Sequence, residues 1–147
     1  MTPADAVDDA ARADLDTLLA ASLRLAQEKL AEASEFEPFA LVIDLEGRLL
    51  AVDLDTSALG NHPETDELVD AIEAQLVHLA ASTRCISLTL LARIAQPRSD
   101  AIEVRLEHHE GGAVLALQPY KRPRFGGRIE YGEIRAFPGQ RAVWPLS

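Results

Sequence analysis

Three consecutive extended segments between Arg84 and Tyr120 constrain the fold more than any other part of the sequence. In the first segment, apolar residues recur at every second position from Ile86 to Ile94, and the second segment alternates in the same way from Ile102 to His108. The third segment, 113–118, is apolar nearly throughout. Side chains in a β-strand point alternately to opposite faces of the sheet. The pattern therefore predicts three strands with one buried face and one more hydrated face.

Short turns containing proline or glycine join these segments, so the strands should pair in an antiparallel sheet. A three-residue loop at 97–99 would place Ala92 opposite Val104, and Arg93 would then face Glu103. Opposite charges that face each other across two strands stabilise their pairing. We therefore predict this register for the hairpin formed by the first two segments.

Two helices and another hairpin precede these strands. Apolar residues at helical spacing, together with helix start signals, predict one long helix over 2–33 and a second over 61–82. Between them, 39–45 and 48–54 are extended runs on either side of a glycine turn, as in a β-hairpin. The order α-β-β-α-β-β-β predicts an α+β fold, with two main helices covering an antiparallel sheet of about five to six strands.

The chain has the length of a single domain, 1–147, in which 121–147 is predicted to form a C-terminal arm with one further strand. Cys85 and Leu91 fall on the more hydrated face of the first strand, so this face is partly apolar as well. A sheet that is apolar on both faces needs helices on both sides or a partner. We expect a homodimer.

Charge is distributed unevenly along the chain. Residues 1–83 contain 18 acidic and 4 basic side chains, residues 84–147 contain 10 basic and 6 acidic ones, and the formal net charge is −10. The basic half could bind an anion, or it could pair with the acidic helices of the same molecule. The net negative charge opposes the approach of a long polyanion, so no nucleic-acid partner is expected.

Several features of the sequence bear on cellular location. No apolar run approaches the ~20 residues that span a bilayer, and the start of the chain, 1–5, is acidic where a secretory signal would be basic and then apolar. The single cysteine excludes an internal disulfide. Arginine outnumbers lysine 12 to 2, which is typical of a GC-rich bacterial genome. These features predict a bacterial cytoplasmic protein with no membrane partner.

Two groups of residues are candidates for a binding site. The basic run 121–128 combines guanidinium groups, which suit phosphate or carboxylate ligands, with interleaved aromatic rings. The alternation of the second strand places two glutamates and a histidine on one face. The predicted ligand- or partner-binding residues are Tyr120, Lys121, Arg122, Arg124, Arg128, Glu103, Glu107 and His109.

Each candidate also has a purely structural interpretation. The two glutamates and His109 could form a hydrated face with cross-strand ion pairs, and the basic run could contact the acidic half or a neighbouring subunit. A metal site needs three or four ligands, which the spacing does not supply. Cys85 lacks the neighbouring base that a nucleophile needs and suits a small buried position. No catalytic residue, metal or cofactor is therefore predicted.

Two stretches resemble known families. The run Ala40–Ala51 resembles the first hairpin of roadblock/LC7 domains, within the profilin-like group, and the element order over 10–118 is similar to theirs. The arm departs from that pattern, in which a helix often ends the domain. The run Asp100–His109, with Pro119 and Tyr120 after it, resembles uncharacterised bacterial proteins. Neither resemblance supplies a catalytic residue.

Two hypotheses about function follow. The first is a non-catalytic protein–protein interaction or regulatory module that binds a protein partner or a second copy of itself. A regulatory adaptor and an acidic antitoxin or immunity protein both fit this class. The alternative is a protein that binds a small molecule or an anion, with or without catalysis, through Glu103, Glu107 and His109 together with the basic run 121–128.

Overall fold

The computed structural model describes residues 9–54, 57–95 and 98–144, and it confirms the predicted α+β class and element order. The predicted helix start at 2–5 lies outside the described residues. Short 3₁₀ turns at Ser57–Leu59 and Ala80–Ser82 flank the second helix. The helices and strands are α1 (Asp9–Glu32), β1 (Phe39–Asp44), β2 (Leu49–Ala51), α2 (Thr65–Leu79), β3 (Thr83–Ile94), β4 (Ser99–His108), β5 (Ala113–Lys121), β6 (Glu130–Tyr131) and β7 (Arg135–Pro138).

The strands form one antiparallel sheet in the order β2-β1-β3-β4-β5-β6, and β7 also pairs with β5. The sheet has seven strands because the arm contributes two short ones instead of one. These two strands lie one after the other along the outer edge of β5. No helix in the described part of the chain is long and apolar enough to cross a membrane.

The two helices cover opposite faces of the sheet. Leu18 and Leu30 of α1 pack in one core with Ile102 and Val104 of β4. On the other face, α2 packs against Leu88 and its apolar neighbours in β3. Strands β3 and β4 therefore turn their larger apolar side chains to different helices. The prediction that one face of the strands would stay hydrated is wrong for β3, whose two faces are both buried.

The predicted register of the hairpin between β3 and β4 is also wrong. Ala92 pairs with Ala101, not with Val104, and Arg93 pairs with Asp100, whose carboxylate lies 3.5 Å from its guanidinium. The reason is that β4 begins at Ser99, inside the loop predicted from sequence. A shift by an odd number of residues moves every side chain of a strand to the opposite face. For this reason the alternating apolar side chains of β3 pack against α2, whereas those of β4 pack against α1.

Candidate functional site

The basic run follows the end of β5, and its first arginine is part of the fold. The Arg122 guanidinium donates hydrogen bonds to the carbonyl oxygens of Leu30 and Ala33, at 2.9 and 2.7 Å. The last carbonyl groups of a helix have no partner within the helix. Arg122 therefore caps the C-terminal end of α1 and ties it to β5. It is not a free cation on a binding loop.

The remaining predicted residues of the run are divided between surface and core. Lys121, Arg124 and Arg128 are exposed, as is the ring of Phe125, which is 95% accessible to solvent. Tyr120 is buried in the α1 core, and burial raises the pKa of its hydroxyl. Three of the predicted basic groups are thus available to a ligand, and they lie near an exposed aromatic ring in the sequence.

The structure separates this run from the predicted acidic group. Glu107 pairs with Ala113 at one end of β5, whereas Lys121 lies eight residues further along the same strand. At ~3.3 Å per residue the two positions are roughly 26 Å apart. Glu107 and the basic run therefore do not form one site. Glu103 pairs with Leu117, nearer the run, but its carboxylate binds Arg105.

Glu107 holds the C-terminal arm against the sheet. Its side chain is buried, at 2% exposure, on the α2 face of β4. One carboxylate oxygen accepts hydrogen bonds from the backbone N–H groups of Ala142 and Val143, at 2.8 and 3.0 Å, and the other accepts from Trp144 at 2.6 Å. Charged acceptors make strong hydrogen bonds with backbone donors. The prediction of a hydrated face fails here because the arm covers it.

His109 lies outside the strand that was predicted to contain it. β4 ends at His108, and the His109 ring packs 6.1 Å from the ring of Trp144, centroid to centroid. Its Nε2 atom lies 3.7 Å from the carboxylate of Glu110. His109 therefore contacts the end of the arm and does not share a strand face with Glu103.

A cysteine, a histidine and an aspartate lie together where α1 packs on the sheet. Sequence reasoning did not predict this arrangement. Cys85 and His108 pair across β3 and β4, and His108 Nε2 lies 2.9 Å from a carboxylate oxygen of Asp14. The other ring nitrogen, Nδ1, accepts a hydrogen bond from the backbone N–H of Glu110. That bond requires Nδ1 to be unprotonated, so Nε2 donates to Asp14.

The surroundings of this cluster do not allow its cysteine to act as a nucleophile. Cys85 is fully buried, and burial raises the pKa of its thiol to about 12. A nucleophilic cysteine needs a thiolate and an adjacent base, but both nitrogens of His108 already have other partners. Asp14 also accepts two hydrogen bonds from Arg84, at 2.8 and 3.0 Å. The cluster joins α1 to the sheet.

A cleft of about 430 Å³ lies between α2, the sheet and the arm. The cation in its lining is Arg105, whose Nε is 2.7 Å from Glu103 and whose Nη1 is 3.4 Å from Glu73. Both of its ion pairs are with carboxylates of the same molecule, so the cleft offers no free positive charge to an anion. Within 9–54, 57–95 and 98–144, no group of three or more His, Cys, Asp and Glu side chains could hold a metal ion.

The outer edge of β2 is open. β2 is the first strand of the sheet and pairs with β1, and no other strand of the described chain lies beside it. Leu45, Leu49 and Leu50, in and beside this strand, have 57%, 47% and 44% of their surface exposed. Edge strands of natural proteins are usually protected by short length, a charge, a proline or a bulge. β2 is short, with three residues, but its sequence, Leu-Leu-Ala, contains neither a charge nor a proline.

The opposite edge of the sheet is protected. Its outer strand β7 contains Arg135 and Pro138, and each of these residues discourages the addition of a further strand. Gly139 follows and lies so close to β5 that an added Cβ would be 2.8 Å from the backbone nitrogen of Val114. The two edges thus differ, and β2 alone combines an open ladder with exposed leucines.

Comparison of the chain with known protein families, curated proteins and solved structures found no match. The function must therefore be inferred from the residues of this chain. Sequence reasoning predicted the β2 hairpin but did not select it as a site. The available signal was Leu49–Ala51, a strand without charge next to a glycine turn, but its position at an edge depends on the strand order.

We predict different effects for the first two arginines of the basic run. Arg122→Ala should lower the free energy of unfolding by about 1 kcal/mol, because two carbonyl groups at the end of α1 lose their donor. Arg124→Ala should leave it unchanged within about 0.5 kcal/mol, because exposed charges contribute little. Urea unfolding of both variants measures the difference. Equal effects at the two positions would contradict the capping role of Arg122.

Proposed function

We propose that this protein is a non-catalytic protein–protein interaction module of the bacterial cytoplasm that binds its partner through the open edge of β2. The observation that carries the proposal is a strand that combines an unpaired backbone edge with two exposed leucines, Leu49 and Leu50. Extended segments bind such edges by adding a strand to the sheet, in which backbone hydrogen bonds supply affinity and side chains supply specificity.

Charged side chains of the core and the cleft already have partners within the same molecule, which supports a role without catalysis. Glu107 binds the backbone of the arm, and Asp14 binds Arg84 and His108. Arg105 is held by Glu103 on the same strand. Each of these groups stabilises the fold through partners in the same molecule. The exposed leucines of the hairpin, in contrast, contribute little to the stability of a single chain.

The state of the cysteine supports a cytoplasmic location. Cys85 is a free, buried thiol on the α1 face of β3. Small proteins of oxidising compartments commonly rely on disulfides, whereas free thiols are typical of the reducing cytoplasm. The large α1 and α2 cores supply the stability that a disulfide would otherwise provide.

Site-specific photo-crosslinking in cells of the source organism tests the proposal. A photo-reactive amino acid replaces Leu49 in one variant and Phe137 on β7 in a matched control, since these side chains are 47% and 46% exposed. We expect a discrete cross-linked protein from position 49 and none from position 137. The purified partner should bind the wild-type protein in solution. Equal labelling at both edges, or none at position 49, would refute the proposed surface.

A further inference from the structure

The proposed function does not specify which chain pairs with β2. The backbone hydrogen bonds of this strand help to identify that chain. We propose that the partner is a second copy of this chain, and that the β2 strands of the two copies pair antiparallel about a two-fold axis at Leu50. This inference rests on the proposed function, because it assigns an occupant to the same edge. The pairing would join the two sheets into one continuous sheet.

The register of this pairing follows from the hydrogen bonds within the hairpin. Asp44 N–H donates to Arg48 O at 2.9 Å, and Val52 N–H donates to Ala40 O at 3.0 Å. Bonding directions alternate along a strand. Residues 48, 50 and 52 thus direct their backbone groups to β1, and residues 49 and 51 direct theirs outward.

Only one symmetric antiparallel pairing uses these outward groups fully. It places Leu49 of each copy opposite Ala51 of the other, and each of these two residue pairs exchanges two backbone hydrogen bonds. Leu50 then faces Leu50 of the second copy. This is a pair without mutual hydrogen bonds, the arrangement in which opposite side chains come closest.

The side chains of two antiparallel β2 strands would fit one another. On the α1 face, the large Leu49 meets the small Ala51 of the other copy, so neither overlap nor a gap results. On the α2 face, the two Leu50 side chains meet beside an open cleft of about 530 Å³, which Leu50, Val52 and Leu79 help to line. Exposed apolar surface on both faces of the strand would therefore be removed from water by one pairing.

The charges at the two ends of β2 are compatible with an antiparallel copy. Arg48, with a side chain that is 66% exposed, precedes the strand, and the exposed Asp53 follows it. Antiparallel pairing brings the Arg48 end of each strand to the Asp53 end of the other, twice by symmetry. Arg48 already pairs with Asp44 and Glu46 at 2.8 and 3.1 Å, so its attraction to Asp53 of the other copy would add little to the affinity.

Three paired residues make a small interface. Specific interfaces that are stable usually bury about 1,200 Å² or more in total, and smaller ones are transient. We therefore expect a reversible dimer with a Kd on the order of 10 µM. The short strand and the net charge of −10 both oppose tighter self-association.

Charge pairing at position 50 tests the register. In Leu50→Lys and in Leu50→Glu, like charges would face each other across the axis, so each variant alone should sediment as a monomer at concentrations where the wild type is a dimer. A mixture of the two should form a heterodimer. Because Leu50 is 44% exposed in one chain, either variant should still fold. Persistence of both homodimers, or failure of the mixture to associate, would overturn the register.

A pair of alanine-to-proline changes tests the edge without a charge. Ala51→Pro removes an outward N–H and leaves the bonds to β1 intact, so it should weaken the dimer at least tenfold. The matched control is Ala136→Pro on β7. The N–H of Gly139 donates to Ala113 O, so by alternation the N–H of Ala136 also points away from β5. This variant should dimerise like the wild type.

The outcomes also separate this inference from the proposed function. If the wild-type protein stays monomeric at all protein concentrations around the expected Kd, the chain that pairs with β2 is not a second copy. If position 49 nevertheless cross-links to a different protein, the interaction module stands. If Ala51→Pro and Ala136→Pro weaken self-association equally, the dimer forms elsewhere, and the β2 pairing is wrong.

Discussion

Glu107→Ala should release the C-terminal arm from the sheet and lower the free energy of unfolding by about 3 kcal/mol. The carboxylate accepts three backbone hydrogen bonds, from Ala142, Val143 and Trp144. Each buried N–H group that loses its acceptor costs about 1–3 kcal/mol. The arm can avoid the full cost by leaving the sheet and binding water, which limits the loss. Urea unfolding gives the free energy, and the amide exchange of residues 142–144 reports the release.

Two further variants identify the cause of this effect. Gly139→Ala should release the same segment from a different point, because the added Cβ would overlap the backbone of Val114. Glu110→Ala is the control, since it removes an exposed acid near the end of the same strand and should change stability by less than about 0.5 kcal/mol. If Glu107→Ala leaves amide exchange in the arm unchanged, the carboxylate does not hold the arm.

Asp14→Ala should destabilise the fold by about 2 kcal/mol, because it leaves Arg84 and His108 without their shared acceptor. The three side chains join α1 to β3 and β4, and the His108 side chain is only 3% exposed. The matched control is Asp16→Ala on the exposed side of the same helix, which should change stability by less than about 0.5 kcal/mol. Similar effects of the two substitutions in urea unfolding would refute the role of the cluster.

The same aspartate should make the protein sensitive to acid. Burial alone would raise the pKa of Asp14, but the hydrogen bonds from Arg84 and His108 outweigh it and hold this pKa below its ordinary value of 3.8. A pKa that is lower in the folded than in the unfolded state adds stability above the unfolded value, and this stability is lost as pH falls through the folded one. The backbone N–H of Arg48 likewise lowers the pKa of Asp44, so part of the acid sensitivity should remain in Asp14→Ala.

Local patterns predicted the strands and helices, because alternation and helical spacing are properties of each segment alone. They did not predict which segments share a face. Arg93 has a carboxylate opposite it with either Glu103 or Asp100, so charge pairing did not determine the register. The deciding factor was the position at which β4 begins, and an odd shift of that position moves every side chain to the other face.

The candidate site was predicted less well than the fold, and for a related reason. Arg122 and Glu107 have the residue types of a binding site, but their partners are backbone groups distant in sequence, Leu30 and Val143 among them. No spacing rule connects such positions. The β2 leucines have ordinary strand residue types, and they become a candidate surface only through the order of strands in the sheet.

Residue-resolved amide exchange at β2 tests the central claim most directly. In dilute protein, the outward N–H groups of Leu49 and Ala51 should exchange rapidly, whereas that of Leu50, which bonds to β1, should exchange slowly. At concentrations above the Kd of self-association, or with a partner captured from position 49, exchange at Leu49 and Ala51 should slow while Ala136 on β7 is unaffected. If Leu49 and Ala51 exchange rapidly under every condition, β2 is not the surface through which this protein binds other chains.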